Sequence, residues 1–383
     1  MSTRTRSNYV YNNFGKRYLV VDGVPSGTLN ANVRVKLWEC TDEDHGDHHH
    51  ANTFFNTLQK SDVDYVNGIR TDGIYAGSGY TSFPAFDLTA YGGHNSNQFT
   101  DKPSQGEFNR LVAGTNPSRS AINPLMAAQD LIDLPKLINS TLHFAKKGRR
   151  AANPRDIANM HLATSFGWLP LIDDVKTLLD LQHTINRRMR EVHEMNRKGG
   201  QTRSLKFGTS HNITRSNISL LSSVAAGSMS GRLTKSTTAT RWGSIRWVPT
   251  QVPTSSSDIA RENRTIRRAV EGLTYNDLVA GAWDYVPWSF MVDWFTNTGS
   301  FIKAHANSIP ARYEDACIMT HTHTDYNLEV TSRSAWLSGG SGSAQYDSKS
   351  RYRGTAGIGL SIPFLGAGKL SILASLFAQR LSR

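Results

Sequence analysis

The sequence predicts an α+β protein in which a helical bundle is joined to an elongated antiparallel β region. Three observations predict it. Some stretches alternate apolar and polar residues with a period of two and are cut by Gly, Asn, Ser and Thr, whereas others repeat apolar residues every three or four positions. These textures follow one another along the chain as β, α, β, α, β, α. Continuous apolar runs of the kind that buried parallel strands carry are few. With 383 residues the chain has length for about two structural units, and its 38% hydrophobic and 19% charged composition excludes global disorder.

Residues 1–120 are rich in Gly, Asn, Ser, Thr and Tyr and read as a β-rich region; the run NVRVKLW at 32–38 alternates cleanly. Residues 121–200 read as the first part of a helical bundle. Leu125, Leu131, Leu134, Ile138 and Leu142 recur at helical spacing, with Pro135 kinking or splitting the helix. Pro170 suits the first turn of a second helix, Asp173 and Asp174 complement its positive end, and Gly199-Gly200 ends it after Lys198. Residues 201–257 return to Ser/Thr-rich alternation and form a β-rich basic segment. The serines before Asp258 then offer N-caps, so 258–308 reads as the second part of the bundle. Residues 309–365 are again β-rich. Residues 366–383 close the chain as a bundle helix, with Leu370, Leu373, Leu376, Phe377 and Leu381 on one face.

The N-terminal residues carry arginines with no apolar stretch behind them, so no secretory signal is read there. The most membrane-like stretch, 357–378, is interrupted by Pro363, several glycines and Lys369, and reads as an amphipathic or core helix, not a span. Two cysteines, Cys40 and Cys317, exclude a disulfide-dense scaffold and leave room for a single bridge.

Charge is segregated along the chain. Residues 1–120 carry 11 Lys/Arg against 12 Asp/Glu, residues 121–270 carry 23 against 10, and residues 271–383 carry 9 against 9. The whole excess of +12 therefore sits in the middle, which points to a polyanionic partner, nucleic acid first and an anionic membrane second. Turning each residue of the 170–198 helix by about 100° gathers Lys176, Arg187, Arg190 and Arg197 on one side, opposite Leu178, Ile185 and Val192. In the next basic helix Arg261, Arg264 and Arg268 stand opposite Ile259, Ile266 and Val270. Arginine suits bidentate phosphate contacts and stacking on bases. Lys146, Lys147, Arg149 and Arg150 add a cluster that serves equally as a helix-end cap. Arg241-Trp242 and Arg246-Trp247 interleave cation and indole, a pattern suited to looped RNA; the tryptophans read as core and the arginines as RNA contacts.

The stretch at 42–50 mixes carboxylates and imidazoles. Asp44, Asp47, His48 and His50 are candidate metal ligands there, with His321 and His323 able to converge from a distant strand. The spacing fits no metal template, and a solvated acidic loop is the plainer reading, so no metal, and no cofactor, is expected. No nucleophile elbow, HExxH, P-loop or dinucleotide fingerprint occurs, and no enzymatic activity is expected.

Three segments carry a resemblance. FGWLPLIDDV at 166–175, the block from Trp283 through VPWSFMVDW at 286–294, and QRLSR at 379–383 are similar to the maturation (A) proteins of single-stranded RNA bacteriophages, with Trp288 where that family commonly has Phe. The resemblance implies a single-copy virion protein, not a homo-oligomer, that replaces coat protein subunits in the capsid. It implies binding of the viral genomic RNA, adsorption to a host pilus through its pilin, and passage into the cell with the RNA. It further implies a bundle facing the genome and a β region, including 1–120, facing outward. The resemblance identifies no receptor-binding residues. Two other readings stand beside it: a cellular RNA-binding assembly protein without a virion role, and a membrane-active protein built on the apolar C-terminal stretch.

Overall fold

The computed structural model describes residues 2–44, 51–84, 94–95, 98–99, 102–121, 161, 180–274, 298–305 and 307–357. These residues form a β-dominated structure, which corrects the expected helical bundle. Nine strands make one sheet in the order β4-β5-β1-β2-β3-β9-β8-β7-β6. They are β1 (Ser2–Val21), β2 (Val24–Asp44), β3 (Phe54–Val63), β4 (Tyr65–Ile69), β5 (Gly79–Pro84), β6 (Gln201–Ser223), β7 (Gly227–Pro249), β8 (Ala311–Arg333) and β9 (Gly342–Arg353). Among the described residues there are four short helices, α1 (Gln105–Thr115), α2 (Leu181–Lys198), α3 (Ser256–Val270) and α4 (Thr298–His305). Five of the strands run 20 to 23 residues and dominate the described residues. In β7 and along most of β8, alternation buries one face with a period of two, which no helix can do. The helices read at 121–150 and 366–383, and the first turns of the 170–198 helix, lie outside the described residues.

The chain divides into two units, each gathered from three separate stretches. The first comprises 1–103, 206–243 and 317–353. Its longest hairpin, β1–β2, turns through Asp22 and Gly23, which hold φ of +48° and +77°. Positive φ at both central residues marks a type I′ turn, whose twist matches that of the strands it joins. Val66, Tyr80, Leu221, Ala226, Met229 and Leu337 form one apolar cluster, and Leu233, Tyr326, Leu328 and Ala344 a second. Glycine is required at Gly339, where φ is +82° and a Cβ would land on the carbonyl oxygen of Tyr65.

Cys40 and Cys317 form no disulfide. The sheet order explains why no bridge forms: β3 and β9 lie between β2, which carries Cys40, and β8, which carries Cys317. Three inter-strand steps of about 4.8 Å exceed the roughly 7 Å limit for paired Cα atoms.

On the more exposed face of β8, His321 Nε2 and His323 Nδ1 both donate to Asp347 Oδ1 of β9, at 2.9 and 3.0 Å. These imidazoles therefore serve a carboxylate in their own hairpin, and among the described residues no group of three His, Cys, Asp or Glu is arranged to hold a metal ion. Asp47, His48 and His50 lie outside the described residues, and Asp44 ends β2. Burial opposes the charge on His323, but the hydrogen bond and charge of Asp347, helped by Asp325, outweigh it and raise its pKa. Burial likewise opposes ionisation of Asp347, and the two imidazoles outweigh that and lower its pKa.

The sign of the stability effect follows from linkage. The contribution of His323 is complete below its unfolded pKa near 6.5 and is lost as pH rises through the raised folded value. That of Asp347 is complete above 3.8 and is lost as pH falls through the lowered one. Thermal melts of wild type and Asp347→Asn are expected to differ most between about pH 4 and pH 6.5. The gap should narrow toward pH 8. A gap that stays constant across this range would remove the imidazoles from the account.

Candidate nucleic-acid interface

The second unit comprises 104–205, 244–316 and 354–383. Its α1 opens with a capping box in which Ser104 and Glu107 exchange side-chain and backbone bonds, and it buries Phe108, Leu111 and Val112. Trp247 fills the space beside it. Its indole N–H donates to Thr115 Oγ1 at 3.1 Å, and its ring meets Tyr313 edge-on at 5.7 Å.

The basic helices are built for one another. α2 buries Ile185, Val192 and Met195 at helical spacing and ends at Gly199 in the left-handed conformation, where the Gly200 N–H reaches Met195 O at 2.9 Å. α3 begins with a second capping box, Ser255 with Asp258, and buries Ile266, Ala269 and Val270. Two polar contacts register the pair: Asn196 Nδ2 donates to Glu262 Oε1 at 2.9 Å, and His193 Nε2 to Asn263 Oδ1 at 2.9 Å. The outward sides are then left to arginine. Arg187, Arg190 and Arg197 on α2, and Arg261, Arg264 and Arg268 on α3, are all exposed. Arg197 is held by Glu194 at 2.9 Å, a carboxylate that also takes Lys198 at 3.0 Å. Arg187, Arg190, Arg261, Arg264 and Arg268 have no ion pair among the described residues. Ile259, placed by spacing on the apolar side, is instead 41% exposed because α3 has just begun there.

Two of the β-segment arginines separate. In β7 the odd positions from Thr237 to Trp247 face inward, so Arg241 shares the buried face with Trp247, and Arg246 shares the other face with Trp242. Arg241 is only 1% exposed; its Nε donates to Thr320 Oγ1 at 2.8 Å and its guanidinium lies 5.0 Å from the centre of the Phe99 ring. This corrects the reading of Arg241 as an RNA contact, since a phosphate cannot reach it. Arg246 stays exposed, packed close to Gly200 at the end of α2. Lys146, Lys147, Arg149, Arg150 and Lys176 lie outside the described residues.

The structure also assembles cations that spacing gave no reason to single out. Glu191 on α2 accepts Arg188 at 2.7 Å and Arg203 at 3.0 Å, with Arg119 at 3.9 Å. Arg203 also donates to Thr115 O at 3.1 Å. Burial first, and then the charge of Arg188, press Arg203 below the ordinary arginine pKa against the pull of Glu191. Only the adjacency of Arg187 and Arg188 in a helix hinted at this, since consecutive helical residues cannot share a face.

Chemically, the exposed set is a field of guanidinium groups on two packed helices, a chemistry suited to backbone phosphates. The family model described as phage maturation protein matches residues 135–362, more than half of the chain. No curated protein matches it. Among the described residues no helix is long and apolar enough to cross a membrane.

Proposed function

The chain belongs to the phage maturation protein family, and from that premise we propose that it is a non-catalytic virion protein that grips the genomic RNA through the outward arginines of α2 and α3. The observation that carries the reading is the stripe of Arg261, Arg264 and Arg268, three exposed guanidinium groups on one helical face without an ion pair among the described residues. A solvated surface in a chain with 31 acidic residues would be expected to pair them. In this reading the protein takes the place of coat subunits in a single copy and travels into the host with the RNA. A cellular RNA-binding protein would share the arginines, but membership of a phage family speaks against it.

Adsorption to a host pilus is assigned to the first unit. Three of its turns adjoin: the Asp22 N–H donates to Ile74 O at 2.8 Å, and Arg70 Nη1 donates to Val224 O at 3.2 Å. These turns expose Val24, Ile69, Ile74 and Val224, the last 88% exposed. Apolar side chains concentrated on exposed turns mark a surface that docks a partner. Particles carrying Val24→Asp, Ile74→Asp and Val224→Asp together are expected to keep their RNA and lose pilus adsorption about tenfold or more, a loss on the scale of removing apolar anchors from an interface. Adsorption at the wild-type level would refute the assignment.

A further inference from the structure

A cavity of about 380 Å³ opens beside α3 in the second unit. That volume lies at the small end of ligand pockets, about 300–1,000 Å³, and suits a single nucleotide better than a duplex edge. One side is apolar, made by Val252, Pro253 and Ile309; the other carries Asp258, Arg261 and Glu262. Two hydrogen bonds donated by backbone N–H groups pin the segments beside the cavity. Thr250 N–H donates to Pro310 O at 2.9 Å, and Ile309 N–H to Asn307 Oδ1 at 3.2 Å. A preorganised wall of this kind costs little to order on binding.

The charge pattern decides between phosphate and base. Asp258 is held ionised, its pKa lowered chiefly by the hydrogen bond from Ser255, which outweighs burial, with further help from the charge of Arg261. Glu262 is buried and accepts both bonds of the Asn196 amide, at 2.9 and 3.1 Å. Two carboxylates against one guanidinium repel a phosphate at this spot. Each carboxylate oxygen keeps acceptor capacity, however, and an unpaired base offers N–H donors on its Watson–Crick edge. Guanine alone presents two adjacent donors there, N1–H and N2–H, and adds the O6 and N7 acceptors that arginine favours. We infer that this cavity holds one unpaired guanine of the bound RNA, with the carboxylates taking its donor edge, Arg261 its acceptor edge and the apolar wall its face. The flanking phosphates then fall to Arg264 and Arg268. The inference rests on the RNA reading above and adds a base-specific seat to it.

The experiment measures anisotropy of labelled RNA decamers with the full-length protein: oligo(U), and the same decamer with one central G or one central A. The G decamer is expected to bind about tenfold tighter than oligo(U), the scale of one good base contact. Val252→Trp, which fills the cavity, should abolish the preference and leave oligo(U) affinity within about twofold, because the phosphate contacts persist. Glu262→Gln should also reduce it, with circular dichroism melts confirming the fold of both variants. Equal affinities for G and U decamers overturn the guanine seat, as does an A decamer that matches G. A preference that survives both substitutions places the base elsewhere and overturns this cavity. Failure of oligo(U) to bind at any salt concentration instead overturns the RNA reading itself.

Discussion

Changing Arg261, Arg264 and Arg268 together to glutamate is expected to weaken binding of single-stranded genomic RNA by about a hundredfold at moderate salt. The logarithm of affinity against the logarithm of salt should flatten by about 1.4, the share of the two phosphate contacts made by Arg264 and Arg268. The effect on folding should be small by comparison. All three side chains are exposed, and the buried residues of α3, Ile266, Ala269 and Val270, stand on its other side. Exposed substitutions shift stability by about 0.5 kcal/mol or less, and glutamate in place of Arg268 in the last turn adds about 0.3–1 kcal/mol of unfavourable dipole. Thermal melts should fall by a few degrees while filter binding collapses. Affinity that does not change at any salt concentration would strike these three residues from the interface.

Much of that arginine surface is legible in the amino-acid sequence. The helical period places Arg261, Arg264 and Arg268 opposite Ile266 and Val270, and the fold keeps that division. The glycine pair after Lys198 predicts the end of α2, and Gly199 supplies its left-handed cap. The strand period is equally visible, but its consequence for single side chains is easily masked. Counting by twos from the buried Trp247 puts Arg241 inside the sheet, and it is there that the structure has it. The interleaved cation–indole pattern obscures this because it joins residues that point to opposite faces. The β-dominated architecture is harder to foresee. Long apolar periodicity at 121–200 weighs toward a bundle, whereas strands of 20 to 23 residues announce themselves only through modest Ser/Thr alternation. Tertiary pairing partners such as Phe54 with Arg351 lie almost three hundred residues apart, and no local signal joins them.

Segregated charge also means less than the net count suggests. The excess of the middle segment serves two ends, since Arg188 and Arg203 are engaged inside the second unit by Glu191 and Arg241 is buried in the first. Among the described residues of that segment, the outward set on α2 and α3 and Arg246 stay exposed, as do Lys206, Arg215 and Arg232. The positive field is therefore built partly from residues whose own role is structural, and the two roles separate experimentally at one carboxylate.

Glu191→Gln is that experiment. The glutamate holds Arg188 and Arg203 by direct ion pairs, with Arg119 at the edge of reach. Removing its charge leaves like-charged guanidinium groups together in a mostly buried site, and breaking a buried pair from one side costs about 3–5 kcal/mol. The second unit should then melt roughly 10 °C lower. Arg203→Met in the same background should recover part of the loss, because it removes one of the stranded charges, and the double-mutant cycle isolates the coupling. RNA affinity, measured below the lowered melting point, should change little, since none of these arginines is in the exposed row. A variant that melts with wild type would mean that Thr115 O and Asn116 O, which already accept from Arg203 and Arg119, suffice to hold the cluster. Its positive charge would then be available to phosphate as well, and the line drawn between structural and RNA-facing arginines would have to move inward.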